Sequence, residues 1–235
     1  MKVLITGATR GIGKAICENL KEFYDVYVVS RNEENLKSLN SKGYCVCDLA
    51  NSVDVDKLCK YIKENKFDVI INNAGEYIYG GIEEMSEEQI TSIYNTNLIA
   101  PVKIISSATP YMKEKKWGRI VNIGSISGVM GEAYASLYSS TKSGLMGLTK
   151  SLALELAEYN ITVNTINPGW VDTKLGNNSV EESEFSKEEI IDCIPQKRFV
   201  SPSEVAGLVK YLISDEAKGI TGQGINLCAG LSVGC

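Results

Sequence analysis

The 235-residue chain contains no histidine. That absence removes a Ser-His-Asp or Cys-His nucleophile pair, a histidine-bearing zinc site and any imidazole acid or base. Proton chemistry must fall to Tyr, Lys, Asp, Glu, Cys or water. A basic surplus is also lacking. The formal net charge is −5, and nucleic acid is no expected partner because phosphate binding needs a basic face. No apolar run is long enough to span a bilayer, and Met1-Lys2-Val3-Leu4-Ile5-Thr6-Gly7 reads as a strand, not a signal peptide. The expectation is a cytoplasmic protein without membrane partners. Internal repeats and low-complexity linkers are missing too. Seven cysteines are present, yet Cys45-Val46-Cys47 lacks metal-ligand spacing. Reduced thiols acting as small apolar residues are expected, with no metal.

What remains is the composition of an ordinary globular chain, 44% hydrophobic and 23% charged, with residues 1–235 forming one domain. Short apolar runs alternate with longer amphipathic segments. The pattern predicts strands at 3–6, 25–30, 44–47, 67–72, 118–124, 161–166 and 223–227. Helices are expected at 12–23, 33–39, 53–65, from Ser86, up to Lys115, and over 138–158 and 202–214. Such alternation means an α/β, doubly wound, Rossmann-like sheet of about seven parallel strands with helices on both faces. Residues 174–200 are polar and weakly patterned. They lie beyond a strand's carboxyl end, where ligands bind in such sheets, and are read as a substrate-binding flap.

The first strand runs into Thr6-Gly7-Ala8-Thr9-Arg10-Gly11-Ile12-Gly13. Glycines there permit a tight turn, and the following helix aims free N–H groups at a phosphate. The second strand ends in Ser30-Arg31-Asn32, where an acidic residue would bind a ribose 2′-hydroxyl. A guanidinium at that place favours a 2′-phosphate, so NADP(H) is the expected cofactor. Tyr138-x-x-x-Lys142 puts both side chains on one helical face, with Cβ atoms about 6 Å apart. The lysine charge is expected to lower the tyrosine pKa and make it an acid/base. Chance supplies about one such pair in a chain with 12 tyrosines, and Tyr111-x-x-x-Lys115 is a second. Only Tyr138 has a hydroxyl thirteen residues upstream, Ser125, at a strand's carboxyl end; the other pair has Leu98 there.

Together these motifs resemble the short-chain dehydrogenase/reductase superfamily from Lys2 to about Leu231. The matching pieces are Thr6-Gly7-x-x-x-Gly11-x-Gly13, Asp48-Leu49, Asn72-Asn73-Ala74-Gly75, Asn97, Ser125, Tyr138-x-x-x-Lys142 and Pro168-Gly169-x-Val171-x-Thr173. The resemblance implies that Tyr138 protonates a carbonyl oxygen as hydride arrives from nicotinamide, and that Ser125 hydrogen-bonds that oxygen. Lys142 would bind the nicotinamide ribose, and Asn97 would hold a water relaying protons to Lys142. Asp48 would meet adenine, Asn72 and Ala74 the adenosine ribose, and Val171 and Thr173 the carboxamide and phosphate side. Trp117 to Ser125, Ile194 to Arg198, Ser201 to Ala206 and Ile220 to Gln223 resemble bacterial 3-oxoacyl-(acyl-carrier-protein) reductases, enzymes of fatty-acid and lipid metabolism. Lys116 matches one of their basic carrier-facing places and Glu158-Tyr159-Asn160 occupies the other. Cys228 in Leu227-Cys228-Ala229-Gly230 resembles some polyketide ketoreductases.

The expected substrate is therefore a 3-oxoacyl thioester on acyl carrier protein or a related carrier. The alternative is a short-chain alcohol dehydrogenase for a free sugar, steroid or other small ketone; a remoter one is a non-catalytic nucleotide-binding protein. The resemblance also implies a homotetramer or homodimer built on helices 98–115 and 138–158.

Overall fold

The computed structural model describes residues 1–182 and 185–233. Seven parallel strands form one sheet in the order β3-β2-β1-β4-β5-β6-β7, as the alternating pattern predicts. They are β1 Lys2–Thr6, β2 Asp25–Ser30, β3 Gly43–Val46, β4 Val69–Asn72, β5 Gly118–Ile123, β6 Ile161–Pro168 and β7 Gly224–Leu227. The helices are α1 Gly11–Leu20, α2 Glu33–Lys37, α3 Ser52–Asn65, α4 Glu87–Tyr94, α5 Ala100–Lys115, α6 Ser127–Met130, α7 Ser136–Leu156, α8 Lys174–Glu182, α9 Lys187–Cys193 and α10 Pro202–Leu212.

Side chains alternate across each strand, so one strand feeds two cores. Val3 and Ile5 of β1 face a core with Ile16 and Leu20 of α1 and Val205, Val209 and Leu212 of α10. Leu4 faces the other, with Leu58 and Ile62 of α3, Ile104 and Met112 of α5 and Leu156 of α7. Each such fully buried side chain contributes roughly 1.5–3 kcal/mol. Every residue of β5 and β6 is buried, as a strand covered on both faces requires.

One of the following details departs from the expected pattern and two agree with it. Residues 174–200 are not a patternless loop, because they carry α8 and α9. Ser186 caps α9 reciprocally with Glu189, Ile190 and Ile194 are buried, and a Val171–Val200 bridge ties the segment's ends together. Residues 183 and 184 of the expected flap lie outside the described residues. The Tyr111 and Lys115 side chains both bind the Asp68 carboxylate, at the amino edge of the sheet, away from any cleft. Finally, the six cysteines among the described residues are free thiols, and burial pushes Cys47 up to about 12.

A buried polar ladder crosses the centre of the sheet. Asn72 Nδ2 donates to Asn122 Oδ1 at 2.9 Å, Asn122 Nδ2 donates to Thr149 Oγ1 at 2.9 Å, and Thr149 and Thr165 hydroxyls meet at 2.7 Å. It joins β4, β5 and β6 to α7, and an unpaired member would lose its water without replacement. Thr149→Val keeps the shape and deletes the hydroxyl. Urea unfolding should show a loss of about 1–3 kcal/mol, with unchanged helix content by circular dichroism.

Candidate active site

The site begins where β1 ends. Gly7 adopts φ +67°, and a Cβ there would stand 2.8 Å from Ala74 Cα, so only glycine fits. Thr6 Oγ1 accepts the Asn73 and Ala74 N–H groups at 3.0 Å each. Asn73 Nδ2 in turn donates to the Thr6 and Gly7 carbonyls at 2.9 and 3.1 Å. The glycine turn and the post-β4 loop are thus clamped together, and a cleft of about 750 Å³ opens above them.

One end of this cleft fits a dinucleotide. No side chain caps α1, and its first turn holds no acid, so its free N–H groups face the cleft as an anion site. At Gly11 a Cβ would approach Thr173 Cγ2 to 3.2 Å, and at Gly13 it would collide with Gly7 O at 2.2 Å. The backbone is therefore bare where a diphosphate would lie. Arg10 and Arg31 are exposed on the cleft wall, and among the described residues no carboxylate neutralises either. Ser30 at the end of β2 meets Thr9 across 3.3 Å, leaving no acid to repel a ribose phosphate. Asp48 accepts the Ala50 N–H at 3.1 Å and lines the same wall with Leu49 and Ala74.

The other end holds the reactive groups. Ser125, two residues past β5, lines the cleft together with Tyr138. Lys142 is 3% exposed, donates from Nζ to Ile123 O at 2.8 Å and stands 5.4 Å from the Tyr138 ring centre. Helical spacing thus brings both to one face, as expected from the motif. The electrostatics differ from that expectation. Burial pushes Tyr138 up to about 12; the Ser125 hydroxyl opposes this, and the Glu132 charge adds to it. Burial also pulls Lys142 down to about 8. Desolvation disfavours phenolate and ammonium alike, so the phenol keeps its proton near neutrality.

Most expected binding residues line this one cleft: Gly7, Thr9, Arg10, Gly11, Ile12, Gly13, Arg31, Asp48, Leu49, Ala74, Gly75, Pro168, Gly169, Val171 and Thr173. Asn72 does not, because its side chain turns into the polar ladder below. Asn97 is fully buried on a π-helical turn, Asn95–Ile99. Its Oδ1 accepts the Glu76 N–H at 2.7 Å, while Nδ2 donates to Glu76 O at 2.8 Å and Thr141 Oγ1 at 3.1 Å. Its amide hydrogens are thus occupied. A Cβ at Gly75 would lie 3.4 Å from Lys142 Nζ and 3.6 Å from Asn97 Oδ1, so the two groups flank one spot.

Glu76, Tyr77, Ser127 and Glu132 are among the cleft residues that escaped the sequence reading. Tyr77 packs edge-on to Tyr138 with ring centres 5.0 Å apart. No periodicity or motif marks them: Glu76, Tyr77 and Glu132 sit in connecting segments and Ser127 opens the one-turn helix α6.

Comparison with known proteins agrees with this geometry. The family model described as short chain dehydrogenase matches residues 1–184. A putative ketoacyl reductase of Streptomyces coelicolor is 39% identical over 250 residues, covering 97% of this chain and 95% of the relative. The 3-oxoacyl-(acyl-carrier-protein) reductase FabG of Staphylococcus aureus is 35% identical over 240 residues, covering 97% and 96%. Among solved structures, an actinorhodin polyketide ketoreductase variant with NADPH superposes with TM-score 0.91 at 35% identity, covering 99% of this chain and 97% of that one.

The buried lysine has a measurable consequence. Its folded pKa lies below the unfolded value of 10.5, so between about pH 8 and 10.5 the unfolded chain binds more protons and this group's stability contribution rises with pH. Lys142→Met removes that dependence. Relative to wild type, the variant should be most stable near pH 7 and should lose roughly 2–3 kcal/mol of that advantage by pH 10.5. Urea melts across this range read the slope.

Proposed function

This chain belongs to the short-chain dehydrogenase family, and on that premise we propose that it reduces a ketone to a secondary alcohol with NADPH. The proposed substrate is a 3-oxoacyl thioester on acyl carrier protein or a related carrier. One observation carries the reading: Ser125, Tyr138 and buried Lys142 line one cleft at the end of β5 together with a bare glycine cradle. The names of the relatives, ketoacyl reductases over nearly the whole chain, support the substrate class.

The residues take these roles. Arg31 and Arg10 hold the ribose phosphate, and the α1 N–H groups with Gly11, Ile12 and Gly13 hold the diphosphate. Bound NADPH supplies a hydride to the carbonyl carbon. Ser125 and Tyr138 fix the carbonyl oxygen between two hydroxyls, and Tyr138 gives it a proton as negative charge develops there. Lys142, held on Ile123 O, places its charge beneath the phenol, offsetting the phenolate left behind. Asn97 clamps the Glu76 peptide and keeps that loop against Lys142.

A free ketone is the second reading, and one observation favours it. Lys116, the expected carrier contact, is exposed just before β5, while Ser125 follows β5. About 20 Å of strand separates the two. The exposed apolar residues Val102 of α5 and Leu154 of α7 support assembly of copies through these helices.

NADPH oxidation with acetoacetyl thioester, a simple cyclic ketone and a keto sugar tests the reading. Turnover of the thioester alone is expected, and turnover of the sugar alone would sink the thioester assignment. Tyr138→Phe should lower kcat by about 10²–10⁴ with NADPH still bound by fluorescence; near-wild-type turnover would remove Tyr138 from the mechanism. Arg31→Asp should reverse the preference toward NADH, read as the ratio of kcat/KM values, and an unchanged ratio refutes the arginine role.

A further inference from the structure

We propose that Leu231, on the turn after β7, is a specificity-determining residue for this reaction: it walls the reacting end of the cleft and sets the size of the alkyl group accepted beyond the ketone. The proposal rests on the reductase reading of the same site and concerns its substrate end.

Sheet order decides which end of the cleft Leu231 meets. β7 is the edge strand beyond β6, at the opposite side of the sheet from β2 and β3, which lead into Arg31 and Asp48. Its last residue, Leu227, pairs with Pro168 of β6, and Pro168 O accepts the Ile126 N–H at 2.9 Å, one residue past Ser125. A Cβ at Gly169 would stand 2.9 Å from Cys228 Cβ. The chain leaving β7 is thus pressed against the segment beside Ser125, and from there Leu231 lines the cleft.

This turn is a built element. Leu231–Val233 forms a 3₁₀ turn, in which the Leu231 N–H donates to Cys228 O at 3.0 Å and the Val233 N–H to Gly230 O at 3.1 Å. Asn226 Nδ2 donates to Ser232 Oγ at 3.2 Å, and Asn167 Nδ2 donates to Asn226 Oδ1 at 3.1 Å, which ties the turn through β7 to β6. Ala229 adopts φ +52°. A left-handed alanine persists only where its surroundings hold it. Here the Gln196 N–H donates to Ala229 O at 3.2 Å, and a Cβ at Gly230 would meet Pro195 Cβ at 3.0 Å. The turn therefore also anchors the segment that carries α8 and α9.

Apolar groups share the cleft with Leu231. Trp170, stacked on Phe199 with ring centres 5.8 Å apart, lines it beside Met130 of α6 and Leu175 of α8, and the last two are exposed. The cleft carboxylates are engaged by hydroxyls, Glu132 by Tyr77 and Ser127 and Glu76 by Ser92. Against these apolar side chains a polyhydroxylated ketone would give up water without replacement, whereas an alkyl group gains by burial. Leu231 is itself half-buried, so its remaining surface is free to meet that alkyl group.

The test is NADPH-dependent reduction of 3-oxoacyl thioesters of increasing chain length, from acetoacetyl upward, by wild type, Leu231→Ala and Leu231→Trp. Leu231→Ala should raise kcat/KM for long chains relative to acetoacetyl about tenfold, and Leu231→Trp should lower the same ratio. A merely structural role would lower every chain length alike and leave the ratio in place. NADPH binding by fluorescence should match wild type in both variants, because Leu231 lies off the glycine cradle. A second readout needs no turnover: Trp170 emission in the NADPH complex, titrated with straight-chain 2-alkanols, which the reduced cofactor cannot reduce. Trp117, the other indole, stands just before β5 at the amino edge of the sheet and gives a constant background. Affinity for long alkanols relative to 2-butanol should shift in the same sense as the kinetic ratio. Length ratios unmoved in both variants overturn the proposal. If the wild type reduces no ketone, the reductase reading fails, and the alkanol ratios alone decide the role of Leu231; alkanols that leave Trp170 unchanged in all three proteins then overturn it.

Discussion

Everything in this cleft depends on how β1 and β4 are fastened at their carboxyl ends. These neighbours stand where the strand order reverses, and the chain leaves them in opposite directions, opening a crevice. Left to itself such a crevice would gape, because the strand hydrogen bonds stop there. The Thr6 hydroxyl and the Asn73 amide close it with four hydrogen bonds between the glycine turn and the next loop. They bring Gly7 against Ala74 so closely that no side chain fits. The floor of the dinucleotide cradle and the loop carrying Gly75, Glu76 and Tyr77 therefore move as one body. The proposed proton chemistry inherits its geometry from that fastening.

A second layer of support runs beneath it. The Asn72–Asn122–Thr149–Thr165 ladder ties α7 to the sheet two turns below Lys142. A helix held only by apolar packing could slide by a fraction of an ångström at little cost, since burial is non-directional. Hydrogen bonds are directional, and each buried one left unmade costs about 1–3 kcal/mol. The ladder thus fixes the register of α7, and with it the height of Tyr138 against Ser125.

Much of this was legible in the sequence, for identifiable reasons. Continuous apolar runs such as Val69 to Ile71 name buried strands, and β-strand periodicity sends Leu4 to one core and Ile5 to the other. The Tyr138–Lys142 pair is legible because helical spacing is fixed, and Gly7, Gly11 and Gly13 because glycine has few other reasons to recur at a strand–helix junction. Asn72 and Asn97 were visible as residues, but their side-chain directions were not. A strand-end asparagine can turn outward or inward, and only the packed sheet shows Asn72 turned toward Asn122. The helices after Thr173 were not legible from the weak apolar pattern: α9 rests on the local Ser186–Glu189 cap and on burial of Ile190 and Ile194, which only the packed fold decides.

The missing histidine takes on its meaning at this point. An imidazole would titrate near neutrality unaided, whereas a phenol and an ammonium normally sit far above it. Burial cannot bring both toward neutrality, since it raises Tyr138 while lowering Lys142. The result is a phenol that holds its proton firmly beside an ammonium that gives up its proton more readily than a free lysine does. That state suits a group whose task is to give a proton to a newly formed alkoxide, which is far more basic than phenolate.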